Sequence, residues 1–154
     1  MEPSSYLVKQ IGIVHSLVNE KAYTGWGEVT AEIHLEREYQ EGLLGLEEYS
    51  HAIVIFYMDQ FHSGEAKSMI KRPRDRADIP EVGVFSQRTK YRPNPIGVSV
   101  VEIKKIEKSI MTVKGLDANN NTPILDIKPY IAEFDTRDNT YVPQWMKGLM
   151  KDYF

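Results

Sequence analysis

Apolar residues recur at every second position along most of this chain, and helical spacing is rare until its last residues. Val29 to Leu35 shows the pattern most cleanly: Val29, Ala31, Ile33 and Leu35 share one face, and Thr30, Glu32 and His34 the other. That predicts a half-buried strand. Tyr6 to His15 is β-branched and apolar enough for a first strand. His51 to Met58 (HAIVIFYM) is nearly continuous apolar and too short for a helix, so it predicts a central strand. A long strand follows at Ile96 to Ile106, with a reversal at Ser109 into Ile110 to Leu116. Asn119, Asn120 and Asn121 form a turn, since asparagine tolerates left-handed backbone. In the next strand, Thr122 to Lys128, alternation places Ile124, Asp126 and Lys128 on one side and Leu125 and Ile127 on the other. Between Glu36 and Glu48 a short helix is cut by Gly42 and Gly45. The tail, 139–154, is expected to be helical: Pro143 suits a first helical position, and Trp145, Met146, Leu149, Met150 and Tyr153 form one apolar stripe. That stripe fits docking on the chain's own core or on a partner subunit. The whole pattern predicts a single all-β domain over 1–154, a mostly antiparallel β-barrel with short helical segments including a C-terminal helix.

Composition narrows this picture. With 154 residues, 42% hydrophobic and 27% charged, the chain is an ordinary globular domain. It has no cysteine, which removes disulfides, thiolate metal sites and cysteine nucleophiles. His15, His34, His51 and His62 have no metal-ligand spacing, so no metal is expected. The first residues lack a signal-peptide pattern and no apolar run approaches a membrane span, so a cytoplasmic protein is expected. Net charge is −3, but it is unevenly spread. From Lys71 to Arg92 seven basic residues face three acidic ones, a local +4 that leaves −7 for the rest. This fits a protein that contacts phosphates locally, and equally a solvated polar excursion in the long connection from Asp59 to Pro80.

The stretch Gly83 to Val101, GVFSQRTKYRPNPIGVSVV, concentrates the candidate chemistry. Pro93 and Pro95 fix φ at alternate positions and push Arg92 and Asn94 towards extended backbone. Extended backbone would put Arg88, Lys90 and Arg92 on one side, with Thr89 and Tyr91 opposite. Gly97 would allow a ligand or another backbone to approach closely. A stiff cationic loop between strands suits an anion or cofactor site; a proline-rich hairpin with solvated charges fits the same residues. No G-x-G-x-x-G lies between a strand and a helix, which disfavours a Rossmann-type cofactor fold.

Together with GLDANNNTPILDIKPYIAEFD (Gly115 to Asp135) and GLLGLEEYSHAIVIFYM (Gly42 to Met58), this stretch resembles the signatures of the TrmO, or TsaA-like, family in the family's own order. The resemblance implies a β-barrel that uses S-adenosyl-L-methionine to methylate N6-threonylcarbamoyladenosine beside the tRNA anticodon, with the cofactor bound at a homodimer interface. It places cofactor contacts at Asp59 and Gln60, Arg88, Val98, and the turn from Asp117 through Asn119 and Asn120 to Thr122. Lys90 and Arg92 become candidates for phosphates or the threonyl carboxylate, because a guanidinium grips an oxyanion bidentately. Asp126 is a candidate proton acceptor, or simply the ion-pair partner of Lys128 on the same strand face. Tyr23, Trp26 and Tyr91 could stack on a base or cover the core edge.

Several positions depart from the family's pattern. Asp59 stands where members commonly carry His, Asn120–Asn121 where they carry Asp-Gly, no Pro-Arg-Gln is found near Tyr23–Trp26, and the chain stops at Phe154 without the further domain of longer members. Two rival readings remain at this point: a non-catalytic RNA-binding barrel, and a methyltransferase of another small substrate.

Overall fold

The computed structural model describes residues 2–19, 24–60 and 68–154. Six strands close into an antiparallel barrel: β1 (Gly12–His15), β2 (Thr30–Leu35), β3 (His51–Tyr57), β6 (Ile96–Glu107), β7 (Ile110–Lys114) and β8 (Pro123–Pro129), in the spatial order β1-β2-β7-β6-β3-β8. Two short strands, β4 (Ile70–Lys71) and β5 (Val82–Gly83), pair with each other in a separate ribbon. Among the described residues helices are few and short: α1 (Ala132–Asp135), α2 (Gln144–Met150) and several 3-10 turns, including Arg37–Leu43 and Leu46–Glu48. The all-β expectation therefore holds.

Alternation explains the interior. Val14, Ala31, Ile33, Ala52, Val54, Phe56, Val101, Met111, Val113 and Ile124 point inward and are almost wholly buried. In β3, Ala52, Val54 and Phe56 fill the barrel, while Ile53 and Ile55 lie half-buried outside it. That strand reads as continuously apolar because both of its faces are apolar.

Three expectations need correcting. The first strand begins only at Gly12: Tyr6, Leu7 and Val8 are exposed and lie outside any strand. In β8 a bulge sits between the pairs Ile55–Asp126 and Phe56–Ile124. The extra residue reverses the phase, so Ile124 and Ile127 both pack on the core while Asp126 pairs with Lys128 on the other side. The tail is less helical than its stripe suggested: Pro143 precedes α2 as its cap, Met150 is exposed, and only Leu149 is fully buried.

Strand register decides where the loops go. Tyr57 opposite Ile96, Ile13 opposite Pro123 and Thr30 opposite Lys114 all lie at one end of the barrel. The connections β1–β2, β3–β6 and β7–β8 therefore emerge together there, although they are far apart in sequence. The β6–β7 hairpin, with Lys108 at φ 56°, and the exit of β8 occupy the opposite end.

Candidate functional site

The asparagine turn lies at the loop-bearing end and is tied down from two sides. The Thr122 carbonyl accepts from the Val14 amide at 3.0 Å, the Asn121 amide donates to the Val14 carbonyl at 2.8 Å, and the Asn120 amide to the Val18 carbonyl at 3.0 Å. The Asn120 Oδ1 accepts from the Ser16 amide at 3.0 Å. Asn121 takes the left-handed conformation at φ 68°, the reason asparagine suits it. From the end of β3, Gln60 reaches across: its Nε2 donates to the Asn120 carbonyl at 3.1 Å and its Oε1 accepts from Asn119 Nδ2 at 3.2 Å. Gln60, Asn119, Asn120 and Thr122, all singled out from the sequence, thus form one connected wall. Asp59 lies exposed beside Gln60, and the buried Thr122 serves the turn through its backbone.

One step earlier in the same loop, Asp117 collects donors. Ser99 Oγ donates to its Oδ1, and the Tyr153 hydroxyl to its Oδ2 at 2.7 Å. Burial raises the Asp117 pKa; the Ser99 and Tyr153 hydrogen bonds and the Arg88 charge act the other way. Burial and the neighbouring Asp117 charge raise the Tyr153 pKa, opposed by Arg74 and Arg88. Ser99 and Tyr153 thus hold Asp117 by hydrogen bonds, while the Arg88 charge acts on both Asp117 and Tyr153 and the Arg74 charge on Tyr153. A cation, a half-buried carboxyl group and a rim of amide groups at one mouth can hold a small zwitterion beside a polar heterocycle.

The loop from Gln87 to Pro95 is not the extended cationic comb the alternation suggested. It bends repeatedly: the Tyr91 amide donates to Thr89 Oγ1 at 3.2 Å, and the Arg92 amide to the Lys90 carbonyl at 3.0 Å. Arg92 turns back on its own loop, its Nη1 donating to the carbonyls of Gln87 (2.9 Å) and Thr89 (3.1 Å). It braces the elbow. The buried Gln87 fastens that elbow to the β4–β5 ribbon by donating to the Lys71 carbonyl at 3.0 Å. Lys71 and Lys90 lie over the Tyr91 ring at 4.7 and 5.3 Å from its centroid. What approaches Gly97 is no ligand: a Cβ there would sit 2.3 Å from the Phe56 ring.

With that geometry in place, comparison with known proteins is decisive. The tRNA-methyltransferase O N-terminal domain family matches residues 22–136. This chain belongs to the TrmO family. An S-adenosyl-L-methionine-binding protein of Archaeoglobus fulgidus is 36% identical, with 84% of this chain and 92% of that protein covered. The tRNA (adenine(37)-N6)-methyltransferase of Escherichia coli K12 is 33% identical over 83% of this chain and 59% of its own length. A crystal structure of TrmO from P. aeruginosa superimposes with a TM-score of 0.76 at 27% identity, covering 94% of this chain and 63% of that one. The chain thus spans less than two thirds of the E. coli enzyme and of the solved TrmO chain.

Other residues that the TrmO resemblance singled out lie elsewhere. Val98 is on the outer surface of the barrel, opposite Ile55, and 43% exposed. Asp126 also faces Ile55 across β3–β8, pairs with Lys128 at 2.7 Å and accepts from the Ile127 amide. Trp26, a candidate for base stacking, is buried; Tyr91 lies between two lysines; Tyr23 and His62 fall outside the described residues. His15 and His34 stack on each other at 3.8 Å, and among the described residues no group of His, Cys, Asp or Glu could hold a metal.

Ser99 and Tyr153 escaped the sequence reading. Ser99 left a signal: it shares strand parity with buried Val101, so a hydroxyl sits at an inward position of an apolar strand. Tyr153 left none, since its apolar spacing reads as core.

Proposed function

We propose that this TrmO-family protein is an S-adenosyl-L-methionine-dependent methyltransferase acting on N6-threonylcarbamoyladenosine in the tRNA anticodon loop, working in the cytoplasm as a homodimer. The observation that carries this reading is the convergence at one barrel end of Arg88, Asp117, Gln60 and the Asn119–Thr122 turn within a TrmO-family domain.

The residues suit the cofactor's chemistry. S-adenosyl-L-methionine, when bound, supplies an electrophilic methyl group on a sulfonium. Arg88 offers a cation for its carboxylate, and the Asp117 carboxylate an acceptor for its ammonium or ribose hydroxyls. The turn provides backbone and amide groups, held rigid by Gln60, for the adenine edge. Asp59 adds a carboxylate beside this wall where family members commonly carry His. Lys90 and Lys71 give the elbow its charge towards RNA phosphates, with Arg92 setting its shape. Because positioning supplies much of such a transfer, rigid anchoring of these groups matters more than any strong acid or base. Asp126 is already engaged by Lys128, so the substrate's own carboxylate takes the N6 proton.

Nucleoside mass spectrometry of tRNA from a deletion strain tests the whole reading. Loss of methylated threonylcarbamoyladenosine is expected, and an unchanged level would overturn it. Calorimetry with S-adenosyl-L-methionine separates it from a pure RNA-binding module, which would give no heat. Arg88→Ala should weaken cofactor binding about tenfold or more, the worth of one charge-assisted contact, with an unchanged circular dichroism spectrum.

A further inference from the structure

The last residues of the tail make contacts that a mere surface helix does not need. After α2 the backbone turns at Asp152, φ 62°, and runs against the 3-10 turn Trp26–Glu28. The Gly25 amide donates to the Asp152 carbonyl and the Trp26 amide to the Tyr153 carbonyl, both at 2.8 Å. Gly27 makes room for this strap: a Cβ there would lie 2.7 Å from the carbonyl carbon of Phe154. β8 leaves the barrel at the opposite end, so the tail travels back along the molecule to reach this one. There the Tyr153 ring packs edge-on against Phe154, and its hydroxyl donates to Asp117.

We propose that Tyr153 is a positioning residue of the cofactor site: strapped to the β1–β2 loop, it aims the Asp117 carboxylate at the ligand and keeps it able to accept. This rests on the assignment of Asp117 to the cofactor site. The carboxylate is held at both oxygens, by Ser99 from β6 and by Tyr153 from the tail, which leaves one lone pair on each oxygen for a ligand donor. The charged groups acting here are Arg88 of the elbow, on Asp117 and Tyr153, and Arg74 of the β4–β5 connection, on Tyr153. In this desolvated place the phenol favours the ionised carboxylate; without it, Asp117 protonates at higher pH. The strap also fixes the tail to the β1–β2 loop, through residues 25 and 26 on one side and 152 and 153 on the other.

The test is calorimetry of S-adenosyl-L-methionine binding to the full chain between about pH 4 and pH 8, from the ordinary carboxylate pKa upward. Tyr153→Phe keeps the ring and removes one charge-assisted hydrogen bond. We expect affinity to fall about tenfold and the acid limb of the binding profile to move up by about one pH unit. Gly27→Ala leaves the phenol intact but collides with the strap, and should give the same two changes. Wild-type binding that Tyr153→Phe reproduces in affinity and pH profile overturns the inference while leaving the cofactor assignment standing. Tighter binding by either variant overturns it too, showing a strap that blocks the site. A wild-type chain that takes up no cofactor overturns both.

Discussion

Desolvation works against the Asp117 carboxylate, and the Ser99 and Tyr153 hydroxyls work for it. Burial raises its pKa above the ordinary 3.8, so the folded state binds the proton more tightly than the unfolded chain does. The sign follows. The stability associated with the protonated group is fully present below the unfolded pKa and is lost as pH rises through the raised folded value. Wherever Asp117 is ionised, its carboxylate is therefore a net cost to the fold. Asp117→Asn should leave the melting temperature unchanged or slightly raised at pH 7, because Ser99 and Tyr153 hydroxyls can donate or accept as the amide requires. Calorimetric titration should nonetheless show cofactor binding weakened by about tenfold or more, the loss of a charged acceptor. A protein that melts much lower after this substitution would mark Asp117 as structural. At this scale the sequence was only partly readable. The family signatures named Arg88 and Asp117; Ser99 went unnamed, although its inward parity was there to be read. The phase of Asp126 was not, because a bulge depends on what the neighbouring strand requires, and nothing local to Leu125 announces one.

At the scale of elements, the elbow between β5 and β6 shows how charge in a sequence divides between recognition and construction. Seven basic residues occur from Lys71 to Arg92, and alternation assigned three of them to a binding face. Prolines stiffen this loop without making it a strand, so the carbonyls of Gln87 and Thr89 have no ladder partner and Arg92 supplies one. Arg76 pairs with Asp78, Lys71 with Asp75, and Arg72 donates to the Ile79 carbonyl at 2.6 Å. Of the comb, Arg92 is thus the residue committed to the loop's own carbonyls. Arg92→Ala should cost about 1–2 kcal/mol locally by freeing two carbonyls. Hydrogen exchange in residues 87–95 should accelerate while the barrel strands keep their protection. Arg92→Lys restores the charge without the planar fork, and should recover only part of that protection. Full recovery with Lys would mean that charge alone organises the elbow.

Across the whole molecule, alternation revealed a barrel but left its closure open, since a period of two does not say which strand pairs with which. Closure turns one face of β3 and β6 outward, and that face is apolar. Ile53 stands opposite Val100, Ile55 opposite Val98 and Tyr57 opposite Ile96, with Ile96, Val98 and Val100 each more than 40% exposed. Such a contiguous apolar strip suits the homodimer contact proposed above. The family resemblance put Val98 in contact with the cofactor, as it did Arg88 and Asp117. A side chain on the outer wall and a pair at the barrel mouth can share one ligand only at the rim between them, and a second copy seated on the apolar face would close that rim from outside. Val98→Asp places a charge in the centre of the patch while leaving the interior untouched, because the residue points away from the core. Sedimentation velocity should show wild type as a dimer and the variant as a monomer, with cofactor affinity reduced in parallel because the rim is then open to water. A wild-type monomer that still binds cofactor would show that one barrel end suffices, and that the outer face serves some other contact.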